Sequence, residues 1–254
     1  MGALAADTAS NIFCSVGQGT WDVPNNNLGD SFLRLTTTGG VLQRADYFTP
    51  FNEATLDSMD LDAGSGGPLL LPVQSGAAHP NLMVVGSKEG RVYLLDRDNM
   101  GQFQSGSDSQ IMQSLVGSFN GIYTTPSFFA GKVYISGRGG PIKAFALKNG
   151  LLATPPSQTS LTFLSPGANA VVSSQGSTNG ILWALQRGSP GVLRAYDATN
   201  LSKELYNSSQ VATRDALNSV AKFSSPTVAN GKVYITGNDT SGPGGKFFIF
   251  GRLP

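Results

Sequence analysis

The chain has one cysteine, Cys14, one histidine, His79, and only three glutamates, Glu53, Glu89 and Glu204. An internal disulfide needs two cysteines and is excluded. A zinc site of the usual Cys/His kind would lack ligands. A nucleophilic triad would have to use His79, which sits in "SGAAHPN", a loop-like segment ahead of a strand, and reads as an exposed turn residue. Charge is scarce as well: 13% of residues are charged and the net charge is +1. Such a balance gives no electrostatic reason to bind nucleic acid or an anionic membrane surface. No apolar run approaches the ~18 residues of a membrane-spanning helix. "MGALAADTASNIF" has no basic segment followed by an apolar one, so it does not read as a signal peptide, and the compartment stays open.

What is abundant is glycine, 32 in 254 residues, with 40% apolar residues. That combination fits an all-β chain with many turns and a sizeable core. Self-similarity is the main signal. "GKVYISG" at Gly131 to Gly137 recurs as "GKVYITG" at Gly231 to Gly237. "NLMVVGSKEGRVYLLDRD" and "GILWALQRGSPGVLRAYD" share one form, an apolar strand, a glycine-containing turn and a second apolar strand. "NIFCSVGQGT" with "DSFLRLTTTGG" is a fifth copy with a longer turn. A preceding strand is expected at Ala3–Asp7, Pro68–Pro72, Pro126–Ala130, Ala168–Ser173 and Pro226–Asn230. A following strand is expected in "ADYFTPF" and "KELYNSS". Only "QVATRDALNSVAKF" suggests a short helix.

Short strands between Gly/Asn/Asp turns make four-stranded antiparallel units. One such unit cannot cover both of its faces, and stacking several around an axis does so. The expected fold is therefore a single β-propeller domain, 1–254, with five blade units at 1–52, 53–117, 118–165, 166–208 and 209–254. A two-sheet sandwich fits the regular period less well.

The "GKVYI-G" strands and the "A-x-D" that ends the third strand resemble the PQQ-repeat, quinoprotein alcohol dehydrogenase-like β-propellers. "AYDATNLSKELY", Ala195 to Tyr206, is similar to that family's tryptophan-docking motif, with Tyr206 where tryptophan is usual. "AFALKNG", Ala144 to Gly150, keeps the alanine and glycine of the motif and loses its aspartate. In that family the outermost strand of the last blade comes from the N-terminus. Here the last unit stops after its third strand, "FFIFGRLP". The resemblance therefore implies a shortened ring, upstream blades outside this sequence, or open edges that pair with another copy. It also implies a periplasmic or extracellular setting.

Two carboxylates stand out in "DLDAGSGGPLLLP", just ahead of the second unit's first strand. By the resemblance, Asp62 matches the catalytic base, Asp60 an extra metal ligand, and Lys88 in "GSKEGRVYLLDR" the cation that polarises the quinone cofactor PQQ. Base, metal and cation around an ortho-quinone are what hydride abstraction from an alcohol needs. The family's cofactor is also held by a vicinal disulfide and by ligands from earlier blades, which this chain does not supply. The residues alone suggest a second reading. D-x-D-x-G is similar to the first half of a calcium loop, but the twelfth position is Leu71 where such a loop has glutamate. "DRDNMGQFQSGSD", Asp96 to Asp108, is incomplete in the same way, and each aspartate also reads as a turn residue capping backbone N–H groups. "GSGG" and "GPGGK" do not lead into a helix, so they make no phosphate cradle. Arg138 and Lys143 in "GRGGPIK" read as a hairpin tip, and Asn207 and Asn238 begin N-x-S/T patterns.

The expected function is that of a binding or assembly scaffold without an intact quinone site. It would meet a protein partner or small ligand at the channel mouth, or another copy through open blade edges. A quinone-dependent alcohol dehydrogenase, or its remnant, is one alternative. A calcium-dependent hydrolase of lactonase or phosphotriesterase type is the other.

Overall fold

A computed structural model describes residues 4–238 and 244–252. Ala3 of the expected first strand, residues 239–243 of the last turn and the final two residues lie outside them. The chain is all-β, with antiparallel sheets and two short helices. It divides into two compact units, one of residues up to 126 with 147–153, the other of 127–146 with 154–254.

Among the described residues the first unit holds two main sheets and a two-stranded one, Trp21–Asp22 with Asn27–Leu28. In the first, Ala5–Ala6, Ile12–Ser15, Phe32–Thr38 and Val41–Thr49 follow one another antiparallel. Gln102–Phe103 joins its outer edge in parallel. The second runs Leu69–Leu70, Leu82–Gly86, Val92–Asp96 and Gln113–Leu115. Alternation puts Phe13, Phe32 and Phe48 on one face of the first sheet, where they pack with Met83, Val85, Tyr93 and Leu95 of the second. The Phe32, Phe48 and Tyr93 rings lie 5.4 to 6.1 Å apart, the spacing at which aromatic pairs attract edge-on or offset. Between the sheets runs helix α1, Glu53–Ser58, whose one buried residue is Leu56. Residues 147–153 belong here because Gln113 clamps Leu152. Its amide nitrogen donates to the Leu152 carbonyl at 3.0 Å, and its amide oxygen accepts the Leu152 N–H at 2.8 Å.

Glycine sets the tight turn of the second sheet. Gly90 has φ +89° and donates its N–H to the Ser87 carbonyl at 2.9 Å. A Cβ there would lie 2.0 Å from the Phe119 carbonyl oxygen, so only glycine closes this hairpin.

The second unit holds three sheets. Ser127–Phe129, Lys132–Ser136 and the 142–146 part of the next strand form one, with Ser157–Gln158 on its outer edge. Ala170–Gln175, Thr178–Gln186, Val192–Asp197 and Asn200–Asn207 form the next. Thr227–Ala229, Lys232–Asn238 and Gly245–Phe250 form the last, which has three strands. Tyr134, Ile142 and Ala144 pack face to face with Ala170, Leu182 and Ala184. Leu185 and Leu193, on the other face of that middle sheet, pack with Val233 and Ile235 of the last. Helix α2, Ala212–Asp215, lies within the segment expected to be helical. Among the described residues no helix is long and apolar enough to cross a membrane.

Candidate functional site

The structure brings together the three residues singled out in the sequence, all within the first unit. After α1 the chain turns at Asp60, whose φ of +54° is left-handed. It then passes Asp62 and one 3-10 turn, Ala63–Ser65, into the strand Leu69–Leu70. Lys88 projects from the hairpin closed by Gly90. Its Nζ lies 2.7 Å from Asp60 Oδ1 and 3.2 Å from Asp62 Oδ2. Backbone bonds fix Lys88 and Asp62. The Lys88 N–H donates to the Asp62 carbonyl at 3.0 Å, and the Gln18 N–H donates to Asp62 Oδ1 at 3.0 Å. Burial alone would lower the Lys88 pKa, but the bonds to Asp60 and Asp62 outweigh it and raise it above the ordinary lysine value. Lys88 is therefore a fixed cation at neutral pH.

Further carboxylates lie around this trio. Asp30 is fully buried, and its Oδ1 accepts the Ala63 N–H at 2.7 Å while Oδ2 has no hydrogen-bond partner. Burial raises its pKa, and the nearby Asp62, Asp57 and Asp60 raise it further. Glu53 is pushed up by burial and then by Asp30 and Asp57. Asp30 carried no sequence signal, since "LGDSF" reads as an ordinary turn before a strand. Chemically, the trio can hold a proton-accepting carboxylate beside a permanent cation. A calcium ion takes about six to eight oxygen ligands, and among the described residues no group of three His, Cys, Asp or Glu is placed to hold a metal ion. Lys88 already occupies the position between the two aspartates where a cation would sit.

The other flagged residues are elsewhere. His79 is half exposed and its Nδ1 meets Asp96 Oδ2 at 2.7 Å. Asp96 Oδ1 accepts the Asp98 N–H at 2.9 Å, and Asp98 Oδ2 accepts from Asn81 at 2.9 Å, so this pair caps a turn. Arg138 is exposed beside the left-handed Gly139, at a hairpin tip. Trp21 packs on Phe103, ring centroids 4.5 Å apart, and donates its indole N–H to Thr49. Trp183 packs into the core between the last two sheets. Tyr206 does make an intersheet contact, edge-on to Phe250 at 6.5 Å, and its hydroxyl donates to Asp215 at 2.8 Å.

The second unit also holds a cleft of about 690 Å³ that the sequence did not suggest. Trp183, Tyr206, Val233, Phe248 and Phe250 form its apolar wall, and Arg214, Lys232 and Arg252 its charged lining. Asp215, the one acid there, has its pKa lowered by the Arg214 guanidinium, which meets both of its oxygens at 2.6 Å.

No protein-family model matches the chain, and no curated protein matches it.

Proposed function

We propose that this chain is a PQQ-type β-propeller repeat protein whose sheets are blades, and that it acts as a scaffold binding a protein partner, without a working quinone site. One observation carries this reading, a difference between two nearly identical repeats. Register aligns Phe247 with Ile142, opposite Thr236 and Ser136, and Ile249 with Ala144, opposite Tyr234 and Tyr134. Ile142 and Ala144 are 0% and 3% exposed under the next sheet, whereas Phe247 and Ile249 are 63% and 55% exposed. An apolar face that one repeat covers and its copy leaves open is the kind of surface that binds other proteins.

A second reading has its own support. Lys88 stands between Asp60 and Asp62, as the resemblance to quinone-dependent alcohol dehydrogenases implies for a cation beside a base. If the quinone bound there, it would supply hydride acceptance, with Asp62 holding the alcohol proton and Lys88 facing the quinone oxygens. The calcium-dependent hydrolase has less support, because Lys88 takes the cation's place. The test is dye-linked alcohol oxidation by the purified protein after incubation with PQQ and calcium chloride. The scaffold reading expects background turnover and an unchanged melting temperature. Turnover that Asp62→Asn and Lys88→Met both abolish would replace it with the enzyme.

A further inference from the structure

The first unit holds a cleft of about 520 Å³, lined by residues of the 6–11 and 70–73 segments with Asn81, Arg97 and Asp98. Its volume lies in the range of about 300–1,000 Å³ typical of ligand pockets. The one cation on the lining is Arg97, which is 8% exposed. Its surroundings hold it in place. Its N–H donates to the Asn81 carbonyl at 2.8 Å, and its own carbonyl accepts from Arg34 Nη1 at 2.9 Å. Its guanidinium lies over the Phe13 ring, 5.9 Å from the centroid. A guanidinium carries five N–H donors. Here Nε has no hydrogen-bond partner among the described residues. Nη2 reaches only the Leu71 carbonyl at 3.4 Å and Asn81 Oδ1 at 3.5 Å, both at the outer limit of a hydrogen bond. A buried cation with open donors costs stability until an acceptor meets them.

The two acids of the cleft are unmatched as well. Asp7 uses both oxygens on its own turn, Oδ1 accepting the Ala9 and Asn11 N–H groups and Oδ2 accepting from Asn11 Nδ2. Burial alone would raise its pKa, but the bonds from Asn11 and Ala9, with the charge of Arg97, outweigh it and lower it. Asp7 is therefore ionised at neutral pH. Asp98 is exposed, and its Oδ2 accepts from Asn81 at 2.9 Å. Among the described residues Arg97 forms no ion pair with a carboxylate, and neither acid forms one with a cation. One cation against two acids leaves the lining net negative, which opposes a plain anion, while a plain amine would leave the Arg97 donors open. Both demands are met by one molecule with a carboxylate and an ammonium. Leu70, Leu71, Pro72 and Val73 add an apolar wall for its body. We propose that this cleft binds a free dipeptide with apolar side chains, its carboxylate on the Nε and Nη2 edge of Arg97 and its ammonium at Asp98. The site is distinct from Lys88 and its two aspartates, and the proposal holds under either reading of the function.

The probe is L-leucyl-L-leucine, titrated into the whole protein by isothermal calorimetry at neutral pH. A Kd below about 1 mM is expected for a ligand of this size. N-acetyl-L-leucyl-L-leucine lacks the ammonium, and L-leucyl-L-leucine amide lacks the carboxylate. Each should bind about tenfold more weakly or worse, the cost of leaving a charged group unpaired. Asp98→Asn keeps an oxygen to accept from Asn81, so the melting temperature should hold. It should weaken the free dipeptide and bring it to the affinity of the acetylated one. Arg97→Lys keeps the charge and loses the planar fork, and should weaken the free dipeptide by a similar factor. If that buried change lowers the melting temperature, Asp98→Asn decides alone. Amide hydrogen exchange at 7–11 should slow when the dipeptide binds. The proposal is overturned by no binding, by binding that ignores Asp98→Asn, or by binding that leaves exchange at 7–11 unchanged. Equal binding of the acetylated dipeptide would assign the cleft to the C-terminal end of a longer chain, and equal binding of the amide to an amine, and either result equally overturns it.

Discussion

Ile142→Ala and Phe247→Ala truncate aligned positions of two repeats, and their effects should differ severalfold. Ile142 is fully buried among Tyr134, Ala170 and Leu182, so its truncation removes apolar contact and leaves a cavity. Such a loss costs about 3 kcal/mol. With a urea slope of about 2 kcal/mol/M, the midpoint falls by about 1.5 M. Phe247 is two-thirds exposed, and its ring contact is with Tyr234, 5.8 Å away. An aromatic pair of this kind contributes about 1 kcal/mol, so the midpoint should fall by about 0.5 M. Both variants belong in a Trp21→Phe background. Trp183, packed between the last two sheets, then reports the unfolding of the unit that holds both positions. Equal midpoint shifts would refute the reasoning. They would mean that the face at Phe247 is covered in solution, and the scaffold reading would lose the observation that carries it.

Three more outcomes follow from the first unit. Lys88→Met leaves Asp60 and Asp62 without their cation and should cost about 1–2 kcal/mol in a urea titration at pH 7, the scale of a charge-assisted hydrogen bond. Asp30 keeps its proton longer in the folded protein than in the unfolded chain, because burial and then its acidic neighbours raise its pKa. Its penalty is therefore absent below the unfolded value of about 4 and complete above the folded one, so it lowers stability as pH rises through that window. Asp30→Asn, which can still accept the Ala63 N–H, should flatten the melting temperature between pH 4 and 7. A slope identical to the parent's would exclude Asp30 as its source. Gly90→Ala combines a left-handed backbone with a Cβ 2.0 Å from a carbonyl oxygen. It should cost about 2–4 kcal/mol, and a cost under 0.5 would show that the hairpin relaxes freely.

The repeat made most of the sheet order legible. The first strands of four of the five main sheets fall within the segments expected for them, and the fifth, Ala170–Gln175, overruns Ser173 by two residues, because an apolar run ahead of a Gly-containing hairpin has few alternatives. Helix α1 was not visible, since six residues with one buried leucine give no helical period. Asp60, Asp62 and Lys88 were found through a resemblance and a spacing, and they do meet. Asp30 was missed because its importance comes from burial and from neighbours more than 25 residues away, which no local pattern encodes. The cleft was missed for a related reason. Trp183, Tyr206, Arg214 and Phe250 come from separate segments that only tertiary packing brings together. "GKVYISG" and "GKVYITG" mark the limit of what sequence can show. In the first copy Tyr134 is buried and its hydroxyl donates to the Ala198 carbonyl at 2.6 Å. In the second, Tyr234 stands on the open face beside an exposed phenylalanine.

That difference also sets an order of opening. In a stack of sheets each layer is held by its neighbours as much as by its own hydrogen bonds. Among the described residues, the Ala170–Asn207 sheet has a packed layer on either side, while the Thr227–Phe250 sheet has one on a single side and three strands. Residues 227–250 should therefore be the least costly part of their unit to detach, melting locally before the rest. On mild heating, a protease should make its first cut there. A molecule that covers this sheet would protect a segment far longer than the strand it touches.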